Sequence, residues 1–279
     1  MGTRLIIERL RPPACQCHNP AIVLRWGASG DAELGRSLAA KGRMPHTNRV
    51  LANLADSDRA LLEPHLEPVK LTFRRVIEVR NKPVKHAYFP DDGIISVVAN
   101  GREGLEVEVG IIGFDGMTAQ SVIMGTDRSP NSTFVQIAGG GRCIRIDALR
   151  HAIGASVTLH RSLLAVVQSF IVQASSTALA NGRSTVEARL ARWLLMAHDR
   201  IDGDALPLTH EFLAVMLGVR RAGVTSALKD LESRGFVERR RGSIIVRERK
   251  GLLALARGIY GVAEAEQERL TGWKSLKKS

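Results

Sequence analysis

Between Ala155 and Ala180 the chain runs without a Gly or a Pro, and its apolar residues recur at helical spacing. A helix of this length is more than any one neighbour can cover, so the rest of the fold must be arranged around it. Leu159, Leu163, Val166, Phe170, Gln173 and Thr177 follow a heptad seam, the pattern by which two helices pack along their length. A second stripe, Leu164, Val167, Ile171, Ala174 and Ala178, lies beside it. Two apolar stripes predict two partners, the body of the chain and a second copy. The heptad seam is assigned to the second copy, and Asn181-Gly182 to the helix end.

Upstream, from Val69 to Ile146, the period changes. Val69-x-Leu71-x-Phe73, Ile94-Ile95-x-Val97-Val98, Val107-x-Val109-x-Ile111, Phe134-Val135-x-Ile137 and Ile144-x-Ile146 read as strands. Asp92-Gly93, Asn100-Gly101, Gly113, Gly116 and Gly139-Gly140-Gly141 fall between them and read as turns. Many short strands at this spacing predict a sandwich or a rolled sheet. Residues 1–43 mix Pro12-Pro13 with scattered Gly and charge and show no sustained period. They predict a poorly ordered extension, outside the native chain if translation begins at Met44.

Downstream, charge becomes informative. The formal net charge is +12, yet residues 44–208 come to only +1, whereas residues 209–257 hold 11 basic against 5 acidic residues. A near-neutral body joined to a cationic module suits a sensing part and a polyanion-binding part. Within that module Thr209 is placed to cap a first helix, Gly218 to permit a tight turn, and a second helix runs to Ser233 with Gly235 just past its end. Winding the second helix puts Val224, Ala227, Leu228 and Leu231 on one face, and Ala222, Thr225, Ser226, Lys229 and Ser233 on the other. From Phe236 to Val246 two strands close on an arginine-rich tip, which reads as a wing. Helix, turn, helix and basic hairpin together predict a DNA reader. Arg220, Arg221, Thr225, Ser226 and Lys229 are the candidates for base and phosphate contacts, and Arg239, Arg240, Arg241 and Ser243 for holding the backbone.

With these motifs assembled, the chain from Asn48 onward resembles the Crp/Fnr family of bacterial transcription regulators. The likeness is carried by Leu217-Gly218-Val219-x-Arg221-x-x-Val224-x-x-x-Leu228-x-x-Leu231-Glu232-x-x-Gly235 and by Arg241-Gly242-Ser243-Ile244. Tyr88-Phe89-Pro90-x-x-Gly93 and Val109-Gly110-x-x-Gly113 extend it into the strand-rich part. The resemblance implies an α+β fold. It has an N-terminal double-stranded β-roll of the cyclic-nucleotide-binding type (44–150), a long dimerisation helix (151–183) and a C-terminal winged helix-turn-helix (184–257), followed by a last helix and basic tail (258–279). It further implies that Arg221 reads a base edge and that Lys229 lies near the DNA backbone. Ala222 and Ser226 stand where cyclic-AMP-responsive members carry Glu and a second Arg, so the operator is expected to differ from theirs. The implied function is sequence-specific transcription regulation on an inverted-repeat operator. Double-stranded DNA and a second copy are the partners, and RNA polymerase joins them if the protein activates.

The sensing part departs further from the resemblance. Gly113 is followed by Phe114-Asp115-Gly116, without the Glu that takes the ribose, and Arg128-Ser129 precedes Pro130 at a spacing wrong for the family's phosphate pair. Gly113, Asp115, Arg128 and Ser129 are the effector-pocket candidates, Asp115 and Arg128 reading more readily as turn residues, and cyclic AMP is argued against. Cys15, Cys17, His18 and Cys143 do not reproduce the four-cysteine iron–sulfur set of the oxygen-sensing members, so no metal or cofactor is expected and the effector is left open. No enzyme is expected either: His210-Glu211 lacks a second zinc histidine, the glycine triplet lacks a phosphate-loop Lys, and there is no Gly-x-Ser-x-Gly elbow. Three cysteines, no secretory h-region and no run of about 18 uncharged apolar residues predict a cytoplasmic chain with no membrane partner. The rival reading is a ligand-binding module whose winged helix contacts protein.

Overall fold

The computed structural model describes residues 48–102 and 104–273. The expectations for residues 1–43, for Cys15, Cys17 and His18, and for the lysines after Trp273 lie outside the described residues.

Two short helices, α1 (Arg49–Ala52) and α2 (Asp56–Leu62), lead into seven strands: β1 (Glu67–Leu71), β2 (Val76–Glu78), β3 (His86–Pro90), β4 (Ile94–Asn100), β5 (Glu106–Ile112), β6 (Ser132–Ile137) and β7 (Gly139–Arg145). A one-turn helix, α3 (Gln120–Ile123), interrupts the run between β5 and β6. The strands form two antiparallel sheets, ordered β1-β7-β3 and β2-β6-β4-β5, rolled around Leu71, Tyr88, Ile95, Val97, Ile112 and Val135. The triplet Gly139-Gly140-Gly141, expected as a turn, instead lies inside β7. Crowding explains it: a Cβ on Gly141 would stand 2.4 Å from the carbonyl oxygen of Phe89 on the paired strand. A strand that must approach a neighbour this closely has to be bare there.

The long helix is broken once. Ile146, expected at a strand end, opens α4 (Ile146–Ala155), and after extended Ser156 the chain enters α5 (Val157–Arg183). The Ser156 hydroxyl accepts the Leu159 N–H at 3.1 Å and donates to Asp58 at 2.6 Å, which caps α5 and ties it to α2. Asn181-Gly182 falls inside the last turn rather than ending it, and Ser184 is the first non-helical residue.

The heptad seam of α5 is spent within the chain, which overturns its assignment to a second copy. Leu159, Leu163 and Val166 are buried in a core shared with Phe89, Ile144 and Leu149. Phe170 packs on the β-roll core. The Gln173 amide is buried, its Oε1 accepting the Ile111 N–H at 2.7 Å and its Nε2 donating to the Ile111 carbonyl at 3.2 Å. The Thr177 hydroxyl accepts from Arg192 at 3.1 Å. Which of two stripes turns inward is settled by the roll's own need: β5 is the edge strand of its sheet, and its outer backbone groups require partners that an amide supplies and an aliphatic residue does not. The face of α5 left outward carries exposed Val157, Leu164, Ile171 and Leu179. By length and composition α5 also meets the measure of a membrane span, as a core helix can, and these two faces account for its apolarity.

The remaining helices are α6 (Val186–His198), α7 (His210–Leu217), α8 (Arg221–Ser233), α9 (Arg249–Leu255) and α10 (Val262–Thr271), with a small sheet ordered β8-β10-β9 from β8 (Ala205–Leu206), β9 (Val237–Arg240) and β10 (Ser243–Val246). The C-terminal module is docked on the roll. Phe212 of α7 meets Phe73 and Phe134 at ring-centroid distances of 6.4 and 6.1 Å. Arg200, fully buried after α6, donates to Asp115 at 3.0 and 2.7 Å. Burial by itself would lower the Arg200 pKa, but the carboxylates of Asp115, Asp199 and Glu264 outweigh it and hold it above its ordinary value. Gln267 of α10 closes on the same Asp115 carboxylate at 3.1 Å.

Deeper in this junction Glu108 of β5 is hydrogen-bonded to Ser96 and accepts from the indole of Trp193, with Met216 against Ser96. Burial, against the pull of these hydrogen bonds and of Arg192 and Arg200, pushes its carboxyl from 4.5 up to about 8, so it is protonated in the folded protein at neutral pH.

Two outcomes follow for stability. Asp115→Ala strands a buried guanidinium and should cost about 3 kcal/mol in urea unfolding. Because the folded pKa of Glu108 lies above its unfolded value, its contribution is whole below pH 4.5 and lost as pH rises to about 8. Glu108→Gln should remove that part of the slope in unfolding free energy against pH, and an unchanged slope would assign it elsewhere.

Candidate nucleic-acid interface

The helix-turn-helix is built from local signals. Thr209 accepts the Phe212 N–H at 3.3 Å and starts α7. Gly218 ends it at φ +60° and ψ +37°, a left-handed conformation that glycine adopts without steric cost and that turns the chain toward α8. The Arg189 side chain, reaching from α6, donates to the Leu217 carbonyl and fixes the end of α7. In α8, Val224, Ala227, Leu228 and Leu231 are buried. The opposite side forms a concave surface lined by Arg221, Ala222, Thr225, Ser226 and Lys229. Five sequence candidates therefore separate cleanly from the core: Arg220, Arg221, Ser226 and Lys229 are exposed and Thr225 is half-buried.

The hairpin of β9 and β10 pairs Arg240 with Ser243 across the tip, and its arginines are not equivalent. Arg239 is turned back to α8, where Glu232 accepts from its backbone N–H at 3.0 Å and from its Nε at 2.6 Å. Glu232 is held below its ordinary pKa by these side-chain and backbone hydrogen bonds. Arg240 is paired with Glu238 at 2.7 Å. Arg241 at the tip, like Arg221 and Lys229 on α8, has no ion pair among the described residues, which leaves these three charges for phosphate or base.

His210, read in the sequence only as half of an absent zinc motif, touches this surface. Its Nδ1 lies 3.1 Å from the Thr225 hydroxyl, which donates to the Arg221 carbonyl at 3.1 Å. The hydroxyl's proton is thereby used, so we assign the Nδ1–H tautomer to His210, donating to Thr225. Burial, then the charges of Arg239 and Arg221, hold the ring below its ordinary pKa of 6.5. The Thr225 hydroxyl is thus engaged within the protein, which leaves the methyl as the group of that side chain suited to apolar contact with a thymine methyl. No sequence signal pairs the first residue of one helix with the fifth of the next.

The effector candidates scatter. Gly113 is buried beneath Arg200, where a Cβ would meet that side chain at 2.9 Å, and Asp115 is committed to Arg200. Arg128 is exposed and paired with Asp127 at 3.3 Å. Only Ser129 borders the cleft between the roll and α5. The other three are engaged elsewhere: Gly113 and Asp115 pack against Arg200 at the junction with the C-terminal module, and Arg128 sits in a surface ion pair. Among the described residues no three His, Cys, Asp or Glu side chains group as a metal site would need.

Replacing Arg221 by Ala should cost about 1–3 kcal/mol of DNA binding and relax preference at one base position. Arg241→Gln should weaken all sequences alike and flatten the log–log salt dependence by about one unit. Arg239→Gln, whose charge is already countered by Glu232, should change that slope less, and equal slopes for the two variants would contradict the distinction.

Residues 188–255 match the Crp-like helix-turn-helix domain family. No curated protein matches the chain in sequence. Among solved structures, the fold is similar to a protein from Eubacterium rectale assigned to the Crp/Fnr family of transcriptional regulators, with a TM-score of 0.60 and 19% identity over 75% of this chain and 98% of that one. FixK2 from Bradyrhizobium japonicum matches with a TM-score of 0.59 and 19% identity over 68% of this chain and 96% of its own. The c-di-GMP-responsive regulator CLP of Xanthomonas campestris matches with a TM-score of 0.56 and 14% identity over 69% and 99%. These likenesses are of fold.

Proposed function

We propose that this chain, a Crp/Fnr-type transcriptional regulator by its fold and its Crp-like helix-turn-helix domain and not an enzyme, binds an inverted-repeat operator as a homodimer. The observation that carries the reading is the exposed face of α8, where Arg221, Ser226 and Lys229 stand together, beside a wing tipped by Arg241, with none of these cations in an ion pair among the described residues. A helix presented this way enters a major groove, and the wing holds phosphate. For the second copy, the outward stripe of α5 replaces the heptad seam. Val157, Leu164 and Ile171 recur every seven residues, with Arg161, Gln168 and Ser175 between them at the complementary heptad positions. A twofold axis along that stripe would present two copies of α8 to half-sites roughly 34 Å apart.

The Xanthomonas regulator is described as c-di-GMP responsive. In this chain Arg128 lies outside the roll cleft and is paired with Asp127, so neither that dinucleotide nor cyclic AMP is proposed as its effector. The reading places the protein in the cytoplasm with the DNA it would bind.

Selection of genomic fragments by the purified protein at near-physiological salt, followed by footprinting, should yield a twofold-symmetric motif. Leu164→Arg, which sets like charges across the proposed axis, should give a monomer in sedimentation and a footprint reduced to one half-site. A variant that remains dimeric would move the interface off α5, and salt-insensitive association with duplex would count against DNA as the partner.

A further inference from the structure

Four side chains from four elements meet where the C-terminal module sits on the roll: Ser96 of β4, Glu108 of β5, Trp193 of α6 and Met216 of α7, none more than 4% exposed. Their hydrogen-bond donors can be counted. The Trp193 indole gives its single proton to Glu108 Oε1 at 2.5 Å. Ser96 also has one proton, and two neighbours compete for it: Glu108 Oε2 at 2.5 Å and the Met216 thioether at 3.5 Å. A thioether has none to give. Both contacts are hydrogen bonds at once only when the carboxyl is protonated, donating to the Ser96 oxygen while the Ser96 proton goes to Met216. With the carboxyl ionised, the Ser96 proton is drawn to the charged oxygen, the stronger acceptor, and Met216 has no donor. The relay from the roll to α7 therefore needs one proton more than the ionised protein holds.

The groups packed around Glu108 offer that charge no direct partner. On α6, Arg189 is spent on the Leu217 carbonyl, Arg192 on Thr177 and the Ile259 carbonyl, and His198 on Asp204, while Glu187 is half-buried. Arg200, past the end of α6, is held by Asp115. Arg192 and Arg200 favour the ionised form from a distance, and burial outweighs them. Strand β4 has no titratable residue, and Glu106 on β5 is engaged by Asn100 at 3.0 Å. On α7, His210 is turned to Thr225 and Glu211 is exposed; on α5, His160 meets the Ile123 carbonyl, and Arg161 and Arg183 are exposed.

We propose that the C-terminal module is docked on the roll by a proton: the hydrogen that Glu108 gives to Ser96 holds Met216 and with it α7, and its loss releases α7 while the roll stays folded. Once α7 leaves, Glu108 meets water and returns toward 4.5, against about 8 when docked. Between those limits docking takes up a proton, so each pH unit should weaken it about tenfold; below 4.5 both states are protonated, and above about 8 neither is. Calling this control of an operator rests on the regulator reading. The opening itself does not, and it is measured without DNA so that the two fail separately.

Methionines serve as reporters. A thioether has no proton to lose, so its oxidation by dilute hydrogen peroxide carries no pH dependence of its own. Oxidation is followed residue by residue in the full chain by peptide mass spectrometry, with reclosing faster than oxidation so that the rate reads the open population. Met216 should oxidise about tenfold faster for each unit between about pH 6 and 8. Met117, wholly buried in the roll, should stay slow at every pH, and Met124, 54% exposed, should stay fast. Glu108→Gln keeps an acceptor for the indole and a donor for Ser96 without a titrating proton, and should make Met216 slow and pH-independent. If that variant does not fold, Glu108→Leu, equally untitratable, makes the same comparison. The proposal is overturned if Met216 in the unaltered chain shows no pH dependence, if Met117 accelerates in parallel, which would mean opening of the whole chain, or if the untitratable variant accelerates as the unaltered chain does.

Discussion

Gln173 holds the architecture at one point on which much else depends. Edge strand β5 ends its sheet with backbone groups that no further strand satisfies, and a single buried amide answers both the N–H and the C=O of Ile111. The approach is possible because residue 110 is Gly: a Cβ there would stand 2.7 Å from the Gln173 amide oxygen and 2.8 Å from the Phe170 ring. Once α5 is locked to β5 in this register, its rotation is set. Leu159, Leu163 and Val166 face the core, the Phe170 side borders the cleft, and Val157 and Leu164 face outward.

The same register carries consequences toward the C-terminal end. Thr177, one helical turn beyond Gln173, receives Arg192 of α6, whose Nε donates to the Ile259 carbonyl at 2.8 Å. Glu108, on the same strand as Ile111, meets Trp193, and Asp115 beyond the strand end meets Arg200. The junction between the roll and the helix-turn-helix module therefore combines the aromatic contacts of Phe212 with polar pairs buried around one strand and one helix. Buried pairs of this kind add less stability than their number suggests, since desolvation consumes most of their attraction, but leaving one half unpaired is costly.

The winged helix was legible in the sequence because its determinants are local. A capping Thr209, a left-handed Gly218 and the apolar spacing Val224, Ala227, Leu228, Leu231 each act within a few residues, and each stands where the spacing predicted. The errors share the opposite property. The glycine triplet reads as a turn because the carbonyl of Phe89 that requires it is some fifty residues away in the chain. Asp115 reads as a pocket residue because Arg200, its partner, belongs to another module. The heptad seam of α5 was visible but its assignment was not, since both stripes have the same period and hydrophobicity does not say which neighbour a stripe will meet.

Composition, period and cap residues thus determined by themselves that this chain builds a strand-rich roll, a long helix and a cationic winged helix-turn-helix, because those signals are summed over neighbours along the backbone. Tertiary structure decided the allocation of surfaces: which stripe of α5 is interior, which wing arginine is left uncountered, and which carboxyl is enclosed at the junction with the C-terminal module. Those depend on pairs such as Gln173 with Ile111, Arg239 with Glu232 and Glu108 with Trp193, and the backbone path that brings each pair together is a property of the whole fold.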